Sequence, residues 1–411
     1  MKKKISLPVF LLSIFLAALV SFQCTYIALS STYEDELTAL KQKYNAYAKL
    51  DYIRMLTGSS YLFRDEIDDS YLEHFLADEY LQYYLGDIYS DYYTPDEFAQ
   101  LMYESDGKLV GIGVSVVYSE VDHTIEILYP MDGSPAKAAG LEPGDRIVAI
   151  DGAPFDDFTY EEAVNRIRGE VGTEVRVTIA RTAKDGSVTE FEVTLARAEV
   201  DSQSVLWSLA EADPTVGIIR ILQFDGGTPA QFKNAVNDLK QKNVKKLIFD
   251  LRGNPGGDST SVEAVLDEII LKGHIATLYD VNGATWDSLD ATNASCLTLP
   301  MAVIADGGTA SAGELFTQTL KDYEVATVVG TVTYGKGVGQ SIYQLPDGSG
   351  VRFTTCYYDP PKSGNYNGVG VIPHVTVELP EEYLYVHTLK IPQSEDTQLI
   401  AALAAVNSEK E

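Results

Sequence analysis

The chain has 411 residues, of which 45% are hydrophobic and 22% charged, a composition that predicts two or three globular domains and excludes disorder along the whole length. The 31 lysines and arginines stand against 60 aspartates and glutamates, so the formal net charge is −29 and no nucleic acid partner is expected, because a phosphate backbone requires a basic surface. The three cysteines are widely spaced, which excludes a disulfide scaffold and a zinc ribbon. The five histidines form no His-Glu-x-x-His motif, which excludes a helix-borne zinc site.

Residues 1–30 are predicted to form a signal anchor or a signal peptide. Three lysines, Lys2–Lys4, precede a mostly apolar, uncharged stretch over residues 5–29, and acidic residues follow it. This order of charges predicts that the bulk of the chain lies outside the cytoplasm. The stretch is long enough to span a bilayer, so we expect an uncleaved single-pass anchor in the cell membrane. Cleavage near Ala28–Ser30, which would give a secreted protein, stays open as the alternative.

Residues 31–104 are predicted to be a helical N-terminal region. Apolar and aromatic residues recur there at helical spacing, and Thr94 followed by Pro95 is typical of a helix start. The region holds 13 of the 26 tyrosines, whose amphipathic rings suit packing or pairing. A capping helical domain and a dimerisation arm, which would make the protein a homodimer, both remain open.

Residues 105–198 are predicted to form a small, partly open β-barrel. Glycines interrupt a series of short runs rich in β-branched residues, and one helical segment, Thr159–Arg168, lies among them. The predicted strands are Leu109–Val117, Thr124–Leu128, Arg146–Ile150, Val175–Ala180 and Glu190–Leu195.

Residues 199–380 alternate between predicted strands and helices, which indicates an α/β core with a mainly parallel sheet. Strands are predicted at Val216–Ile221, Lys246–Leu251, Met301–Ala305 and Ala326–Val329, and helices at Thr228–Lys240, Thr260–Leu271 and Ala312–Asp322. A hairpin over Gln340–Cys356 follows, and residues 381–411 are predicted to be a C-terminal tail with a helix. The fold class is therefore predicted to be α/β multidomain.

Three glycine-rich loops of the α/β core contain candidate catalytic residues. In the first, Arg252–Gly257, the paired Gly256 and Gly257 would let backbone N–H groups converge on an anion or an oxyanion; a tight turn is the alternative. The second ends at Ser311, an accessible serine at a predicted helix start, which serves only as an N-cap unless a base lies nearby. Thr309 in this loop argues against the Gly-x-Ser-x-Gly elbow of the α/β-hydrolases.

The third loop, Gly330–Gln340, nearly matches the phosphate-binding pattern of nucleotide hydrolases. Gly337 stands where that pattern needs a hydroxyl for magnesium, and strand-like residues follow where a helix is required, so a nucleotide site is not expected. Lys336 would instead reach Ser311 and act as its base in the neutral form. Burial lowers the pKa of a lysine, and Ser-Lys pairs are an established variant of the catalytic triad.

Taken together, the barrel and the three loops resemble the C-terminal processing peptidases, also called tail-specific proteases, from about residue 75 to residue 395. The resemblance rests on motifs that follow the order of that family. They are Gly111–Val114, Ser134–Gly140, Gly144–Ile147 and Ile150–Gly152 of a PDZ-like segment, then Asp250–Gly257, the Ser311 segment and Gly335–Gln340. Two positions depart from the family's pattern: Thr309 replaces a common serine, and His374 follows Pro373 where an aspartate is expected.

The resemblance implies a Ser-Lys peptidase site. Ser311 would be the nucleophile, Lys336 the general base, and Gln340 the residue that orients Lys336. The backbone N–H groups of the oxyanion hole would come from Gly256, Gly257 and Ala312. Neither a metal nor an organic cofactor is implied.

The resemblance also implies that the barrel is a PDZ domain. The backbone of Gly111, Ile112 and Gly113 would accept the terminal carboxylate of a peptide. The peptide would then add as a strand beside Val114–Val117, against the helix Thr159–Arg168. Proteins or peptides bound by their C-terminal tails are thus the expected partners.

The predicted function is that of a membrane-tethered, extracytoplasmic serine endopeptidase that recognises C-terminal tails. A non-catalytic PDZ scaffold with a degenerate protease domain is the alternative, and the joint presence of Ser311, Lys336 and Gln340 argues against it. Cys296 and Cys356 would be able to pair outside the cytoplasm, although the sequence alone does not place them within reach of each other.

Overall fold

A computed structural model describes residues 48–64, 80–81, 85–119, 124–293 and 296–408 of the chain. The chain divides into two compact units, one made of the residues up to Tyr92 together with Ile342–Phe353, and the other of Tyr93–Ser341 together with the residues from Thr354 onward. The predicted anchor over residues 1–30 lies outside the described residues. Within the described ranges, no helix is long and apolar enough to cross a membrane.

The smaller unit contains a helix over residues 48–60 (α1), which is one of the described segments of the predicted helical N-terminal region. Its buried side chains Ile53 and Leu56 pack with Val351 and Phe353 from the second segment of the unit. Burial of these apolar surfaces, worth roughly 25 cal/mol per Å², holds the two segments together.

A short strand, Asp91–Tyr93 (β1), leads to the helix Pro95–Ser105 (α2). The helix starts where the sequence predicts. The Thr94 hydroxyl accepts the main-chain N–H of Glu97, and the Glu97 carboxylate accepts the main-chain N–H of Thr94, which is a capping box.

The small β-barrel of the predicted fold class is confirmed. Its strands are Lys108–Gly111 (β2), Val114–Ser119 (β3), Thr124–Pro130 (β4), Arg146–Ile150 (β5), Ala153–Pro154 (β6), Glu174–Thr182 (β7), Val188–Ala196 (β8) and Ala198–Asp201 (β9), and its helices are Pro135–Ala138 (α3) and Tyr160–Ile167 (α4). Strands β3, β4, β5, β7 and β8 form one antiparallel sheet in that order, β6 adds to β5, and β2 pairs with β9. The buried residues Ala163 and Ile167 attach α4 to the barrel core.

The single strand predicted over Leu109–Val117 is wrong, because the chain turns between β2 and β3. At the turn, Gly113 has φ +71°, and its carbonyl accepts the N–H of Met131 at 2.9 Å. A Cβ atom at position 113 would lie 2.3 Å from the Cβ of Ser134, so only glycine fits there.

The α/β core has the mainly parallel sheet that the sequence predicts. Its strands are Val205–Leu209 (β10), Val216–Ile221 (β11), Lys246–Asp250 (β12), Gly273–Tyr279 (β13), Thr285–Ala291 (β14), Met301–Ala305 (β15), Ala326–Gly330 (β16), Val338–Gln344 (β17), Gly350–Asp359 (β18) and Val375–Thr376 (β19), and its helices are Thr228–Gln241 (α5), Ser259–Asp267 (α6), Ala312–Asp322 (α7) and Thr397–Asn407 (α8). The sheet order is β10-β11-β12-β15-β16-β19, and every pairing except that of β10 with β11 is parallel. The sequence did not predict β10 or the β13–β14 hairpin.

The central strands are buried on both faces, which is why they read as continuous apolar runs. On one face, Ile219, Phe249 and Val303 belong to the core beneath α5, α6 and α7. On the other face, Ile218 and Ile248 pack with the buried residues of α8.

The three glycine-rich loops all leave the carboxyl ends of neighbouring strands, β12, β15 and β16. This edge of a parallel sheet is where such folds commonly bind ligands. The loop after β16 leads into β17 and β18, which form the predicted hairpin. The thiols of Cys296 and Cys356 are both free.

Candidate active site

Hydrogen bonds connect the first two glycine-rich loops. The N–H of Ala310 donates to the Asn254 carbonyl at 2.8 Å, and the Thr309 hydroxyl donates to the Leu251 carbonyl at 2.8 Å. Asp306 accepts the N–H of Gly253 at 2.9 Å. The loop that carries Ser311 is therefore fixed against the loop that carries the paired glycines.

Ser311 adopts a backbone conformation that non-glycine residues rarely occupy, with φ 53° and ψ −120°. A conformation of this kind costs about 1–3 kcal/mol and persists only where neighbouring contacts impose it. The residue is half-buried and immediately precedes α7. The strain turns the chain sharply between β15 and α7 and is a common property of functional residues.

Of the paired glycines, Gly256 lies directly against Ser311 and Gly257 lies against Phe224. A Cβ atom on Gly256, which has φ +102°, would lie 2.6 Å from the Cβ of Ser311 and 2.9 Å from the N of Ala312. The N–H of Gly256 donates to Asn254 Oδ1 at 2.8 Å, so this predicted oxyanion donor already has an acceptor. Gly257 lies in a short parallel bridge to Phe224, in which Phe224 bonds to the residues on either side, so the N–H of Gly257 points away from Phe224.

The loop around Lys336 fits closely against residues 365–370. A Cβ atom on Gly335, which has φ +90°, would lie 3.0 Å from the N of Gly370, and one on Gly337 would lie 2.6 Å from Asn365 Oδ1. The glycines on both sides of Lys336 are thus required by close backbone approach rather than by a phosphate group.

Glu314 joins the serine loop to the lysine loop. Its carboxylate is fully buried, and Oε2 accepts the N–H of Ser311 at 2.9 Å and the N–H of Lys336 at 2.8 Å. Two donors that share one acceptor oxygen lie at most about 6 Å apart. Oε1 accepts the N–H of Gly335 at 2.7 Å and the hydroxyl of Thr333 at 2.5 Å. The structure therefore brings Ser311 and Lys336 together at the backbone level.

Gln340, the predicted partner of Lys336, lies in β17 and is half-buried. Its side-chain Nε2 donates to the hydroxyl of Thr354 in the neighbouring strand β18 at 3.3 Å. The Thr354 side chain is fully buried, which holds the Gln340 amide in place.

A buried cluster of charged side chains holds the start of the first loop at the end of β12. Asp250, at the end of β12, accepts hydrogen bonds from Arg220 and from Arg252, and Arg252 also donates to Asp396 at 2.8 Å. Burial would raise the pKa of Asp250, but the two guanidinium groups hold that pKa well below its usual range. Asp396 is the N-cap of α8, where it accepts the N–H of Leu399, so the cluster ties α8 to the end of β12.

The predicted peptide-binding segment lies at the edge of the barrel. Strand β3, which starts at Val114, is an edge strand of its sheet, and α4 packs on the same barrel core. The carbonyl of Ile112 accepts the N–H of Ala136 at 2.9 Å, and Gly111 pairs with Ala198. An edge strand has unpaired N–H and C=O groups, which is the requirement for adding a peptide strand.

The two departures from the family pattern both have partners in the structure. The Thr309 hydroxyl donates to Leu251, as described above, and accepts the N–H of Asp306 at 3.0 Å. His374 Nδ1 accepts the N–H of Val328 at 2.9 Å, a bond that an aspartate at that position would also be able to accept.

Sequence reasoning missed two residues that hold the site, Glu314 and Asn254. For Glu314 a signal existed, since Ser311-x-x-Glu314 is the pattern of a capping box. Nothing in the sequence singles out Asn254, because its role depends on the contact between two loops more than 50 residues apart.

The profile of peptidase family S41 matches residues 215–377, and that of the PDZ domain matches residues 100–180. A carboxyl-terminal-processing protease of Synechocystis sp. is 33% identical over 312 residues, which cover 75% of this chain and 71% of that protein. A carboxy-terminal-processing protease of Bartonella bacilliformis is 32% identical over 287 residues, which cover 67% of this chain and 64% of the relative.

Solved structures agree with these matches. A photosystem II D1 C-terminal processing protease aligns with 82% of this chain and 94% of its own, at 25% identity and a TM-score of 0.51. A putative S41 protease from Bacteroides fragilis shares the fold at 18% identity, with a TM-score of 0.64 over 86% of this chain and 96% of its own.

The fold and these matches define a serine-type peptidase, a hydrolase that combines an α/β core with a PDZ domain. Within that class, the chain belongs to the C-terminal processing peptidases of family S41.

Proposed function

We propose that Ser311 and Lys336 carry out peptide hydrolysis, with Ser311 as nucleophile and Lys336 as general base. The observation that supports this most directly is the buried Glu314 carboxylate, whose Oε2 accepts the main-chain N–H groups of both residues. A side-chain hydroxyl is a poor nucleophile unless a base removes its proton, and a neutral lysine amine is such a base.

The reaction would proceed in two steps. Ser311 Oγ attacks the scissile carbonyl, Lys336 takes its proton and passes it to the leaving amine, and an acyl-enzyme forms. Water then attacks the ester, and Lys336 takes its proton and returns it to Ser311 Oγ as the C–O bond breaks and the carboxylic acid product leaves. The negative charge on the tetrahedral oxygen needs two converging donors. We assign these to the N–H groups of Gly257 and Ala312, while Gly256, whose own N–H is donated to Asn254, supplies the space beside Ser311.

Gln340 is proposed to orient the Lys336 side chain. Its amide is anchored on the buried Thr354 in β18 and lies four residues after Lys336, on the strand that continues the lysine loop. An amide oxygen accepts a hydrogen bond from an ammonium or amine without adding charge, so it would direct Lys336 and leave the amine able to accept a proton.

The PDZ domain is proposed to select substrates by their C-terminal tails. The free edge of β3 would pair with the peptide strand, and the backbone at Gly111, Ile112 and Gly113 would receive the terminal carboxylate. Peptides and unfolded protein tails are the expected substrates.

We propose that the enzyme works outside the cytoplasm and is tethered to the cell membrane. The support is the order of charges at the N-terminus, where three lysines precede the apolar stretch and acidic residues follow. Labelling of intact cells with a membrane-impermeant lysine reagent tests this location. The tyrosine-rich region over residues 31–104 is proposed to mediate homodimerisation.

Replacement of Ser311 by alanine tests the proposed function. Peptide hydrolysis should fall to the level that substrate binding and the oxyanion hole provide alone, about 10³-fold over the uncatalysed rate. The measurement is kcat/KM on an unstructured peptide with a free C-terminal carboxylate, with thermal unfolding to check the fold. Ser208→Ala, at an exposed position of β10, is the matched control and should keep full activity. Activity of Ser311→Ala within tenfold of wild type would remove Ser311 from the reaction.

A further inference from the structure

Two buried tyrosines, Tyr358 and Tyr366, contact the main chain of Lys336 and Ser311. Tyr358, in β18, is 7% exposed, and Tyr366, in the loop that follows, is 5% exposed. Their rings meet edge to face with centroids 5.8 Å apart. A buried tyrosine hydroxyl requires a hydrogen-bond partner, and the partners here belong to the two loops of the active site.

The hydroxyl of Tyr358 donates to the main-chain carbonyl of Lys336 at 2.5 Å. The hydroxyl of Tyr366 lies 3.2 Å from that of Tyr358 and 3.4 Å from the carbonyl oxygen of Ser311, so its proton can reach either acceptor. The two phenols therefore bridge the carbonyl groups of Ser311 and Lys336, whereas Glu314 holds the N–H groups of the same two residues.

Both phenols stay protonated near neutral pH. Burial raises the pKa of Tyr358 well above its usual value, against the opposing effect of hydrogen bonds with Tyr366 and with the Ser311 side chain. Burial likewise raises the pKa of Tyr366, and the neighbouring Tyr358 and Glu314 act in the same direction. The neutral Tyr358 hydroxyl can donate to the carbonyl of Lys336 and still has a lone pair that accepts the proton of the Tyr366 hydroxyl.

We infer that Tyr358 is a positioning residue of the Ser311–Lys336 site: its hydroxyl holds the carbonyl of Lys336 and, through the hydroxyl of Tyr366, is linked to the carbonyl of Ser311, so that the two phenols set the distance between nucleophile and base. This inference rests on the proposed roles of Ser311 and Lys336. Tyr358 acts through these two residues, and its buried position keeps it out of substrate binding.

Two neighbouring side chains hold the main chain of Lys336. Glu314 accepts its N–H and Tyr358 donates to its carbonyl, so the peptide groups on both sides of the residue are held. Without the phenol, the carbonyl of Lys336 loses its hydrogen-bond donor. The loop is then free to relax, because the glycines on both sides of Lys336 restrict the backbone dihedral angles only weakly. A displacement of about 1 Å between reacting groups is enough to cost two orders of magnitude in rate.

The test is Tyr358→Phe in the full-length protein, which keeps the ring and removes only the hydroxyl. We expect kcat on a quenched-fluorescence peptide with a free terminal carboxylate to fall about 10- to 100-fold, while KM changes by less than about twofold. The matched control is Tyr357→Phe, on the adjacent position of β18, whose ring stacks on Tyr279 at 5.6 Å and which should retain wild-type kcat and KM.

A kcat for Tyr358→Phe within about twofold of wild type, or an effect confined to KM, would overturn the inference. Ser311→Ala measured in parallel separates this result from a failure of the proposed function, since an active Ser311→Ala would reject the Ser-Lys site itself. If Tyr358→Phe does not fold, as judged by thermal unfolding, Tyr366→Phe decides the matter. It removes the donor to Tyr358 and should lower kcat about 3- to 10-fold, and an unchanged kcat would reject the positioning role.

Discussion

At the scale of single residues, the local conformation of Ser311 and the surroundings of Lys336 explain why their neighbours are small. Ser311 has a positive φ, and the backbone at Gly256 comes so close to it that a methyl group would collide. Gly335 and Gly337 let the lysine loop touch residues 365–370. The close packing around the two candidate catalytic residues therefore requires these glycines.

Replacement of Lys336 by arginine separates a base from a mere positive charge. A base must lose its proton, which arginine does not do because its pKa stays above about 12. We therefore expect Lys336→Arg to be nearly as inactive as Lys336→Ala, and wild-type kcat/KM to decrease with falling pH as the amine becomes an ammonium that cannot accept the Ser311 proton. Lys240→Arg, at the exposed end of α5, is the control. Substantial activity of Lys336→Arg, or a pH profile that is flat from about pH 5 to 9, would refute the base role.

At the scale of secondary-structure elements, α7 and the loop after β16 depend on one carboxylate. Glu314 accepts four hydrogen bonds from Ser311, Thr333, Gly335 and Lys336. All four donors belong to the candidate site, and α7 carries the residue that holds them. The element thus follows directly after Ser311 and fixes the main chain of Lys336 from its first turn.

Glu314→Gln should uncouple the two loops. The amide keeps the size of the side chain, but its NH₂ group faces donors where an acceptor is needed, which leaves buried N–H groups unpaired at a cost of about 1–3 kcal/mol each. We expect kcat to fall by at least about 100-fold, measured together with the temperature of unfolding. Glu190→Gln, at an exposed position of β8, should behave as wild type. A fully active Glu314→Gln would mean that the contacts of Glu314 do not hold the site.

The cluster around Asp250 should make the protein sensitive to acid. Because Arg220 and Arg252 depress the pKa of Asp250 in the folded state, its contribution to stability is complete above the unfolded-state pKa of about 3.9 and is lost as the pH falls through the lower, folded-state pKa. The free energy of unfolding, measured with urea between about pH 2.5 and 7, should therefore decrease on the acid side, and Asp250→Asn should flatten this dependence.

Asp250→Asn should also lower stability at neutral pH by about 3–5 kcal/mol, because it leaves two buried guanidinium groups with less compensation. The exposed Asp156→Asn is the control and should change neither stability nor its pH dependence. If the free energy of unfolding of Asp250→Asn decreases at low pH as much as that of the wild type, the acid sensitivity comes from other carboxylates.

At the scale of the whole molecule, the PDZ domain and the peptidase core share one compact unit, while the hydrophobic cluster of the barrel is separate from those of the α/β core. The proposed recognition of C-terminal tails and the proposed hydrolysis thus belong to domains with their own cores. On that proposal, a substrate selected by its tail need share no sequence at the bond that is cleaved.

Amidation of the substrate's C-terminus tests tail recognition. The amide loses the charge that converging N–H groups favour, so kcat/KM should fall relative to the free acid of the same peptide. The effect should appear in KM rather than in kcat, because the tail binds away from the reacting bond. A peptide amidated only on an internal acidic side chain controls for net charge. Equal kcat/KM for acid and amide would reject recognition by the Gly111–Val114 segment.

The sequence by itself determined the fold class, the barrel, the parallel core and the three loops, because these follow from local patterns. Apolar runs gave β11, β12, β15 and β16, and capping residues gave the start of α2. Glycine pairs and a serine at a helix start marked the candidate site. The β13–β14 hairpin was missed because its outer strand is largely exposed and lacks a clear apolar alternation.

Only the tertiary structure decided how the site is held. Lys336 meets Glu314 across 22 positions and Tyr358 across another 22, and Asn254 meets Ala310 across 56. Such contacts depend on which loops the sheet order places side by side, and no local pattern contains that information. Gly256 is an example: the sequence identifies it as a candidate oxyanion donor, but only the folded loop shows that its N–H already donates to the side-chain oxygen of Asn254.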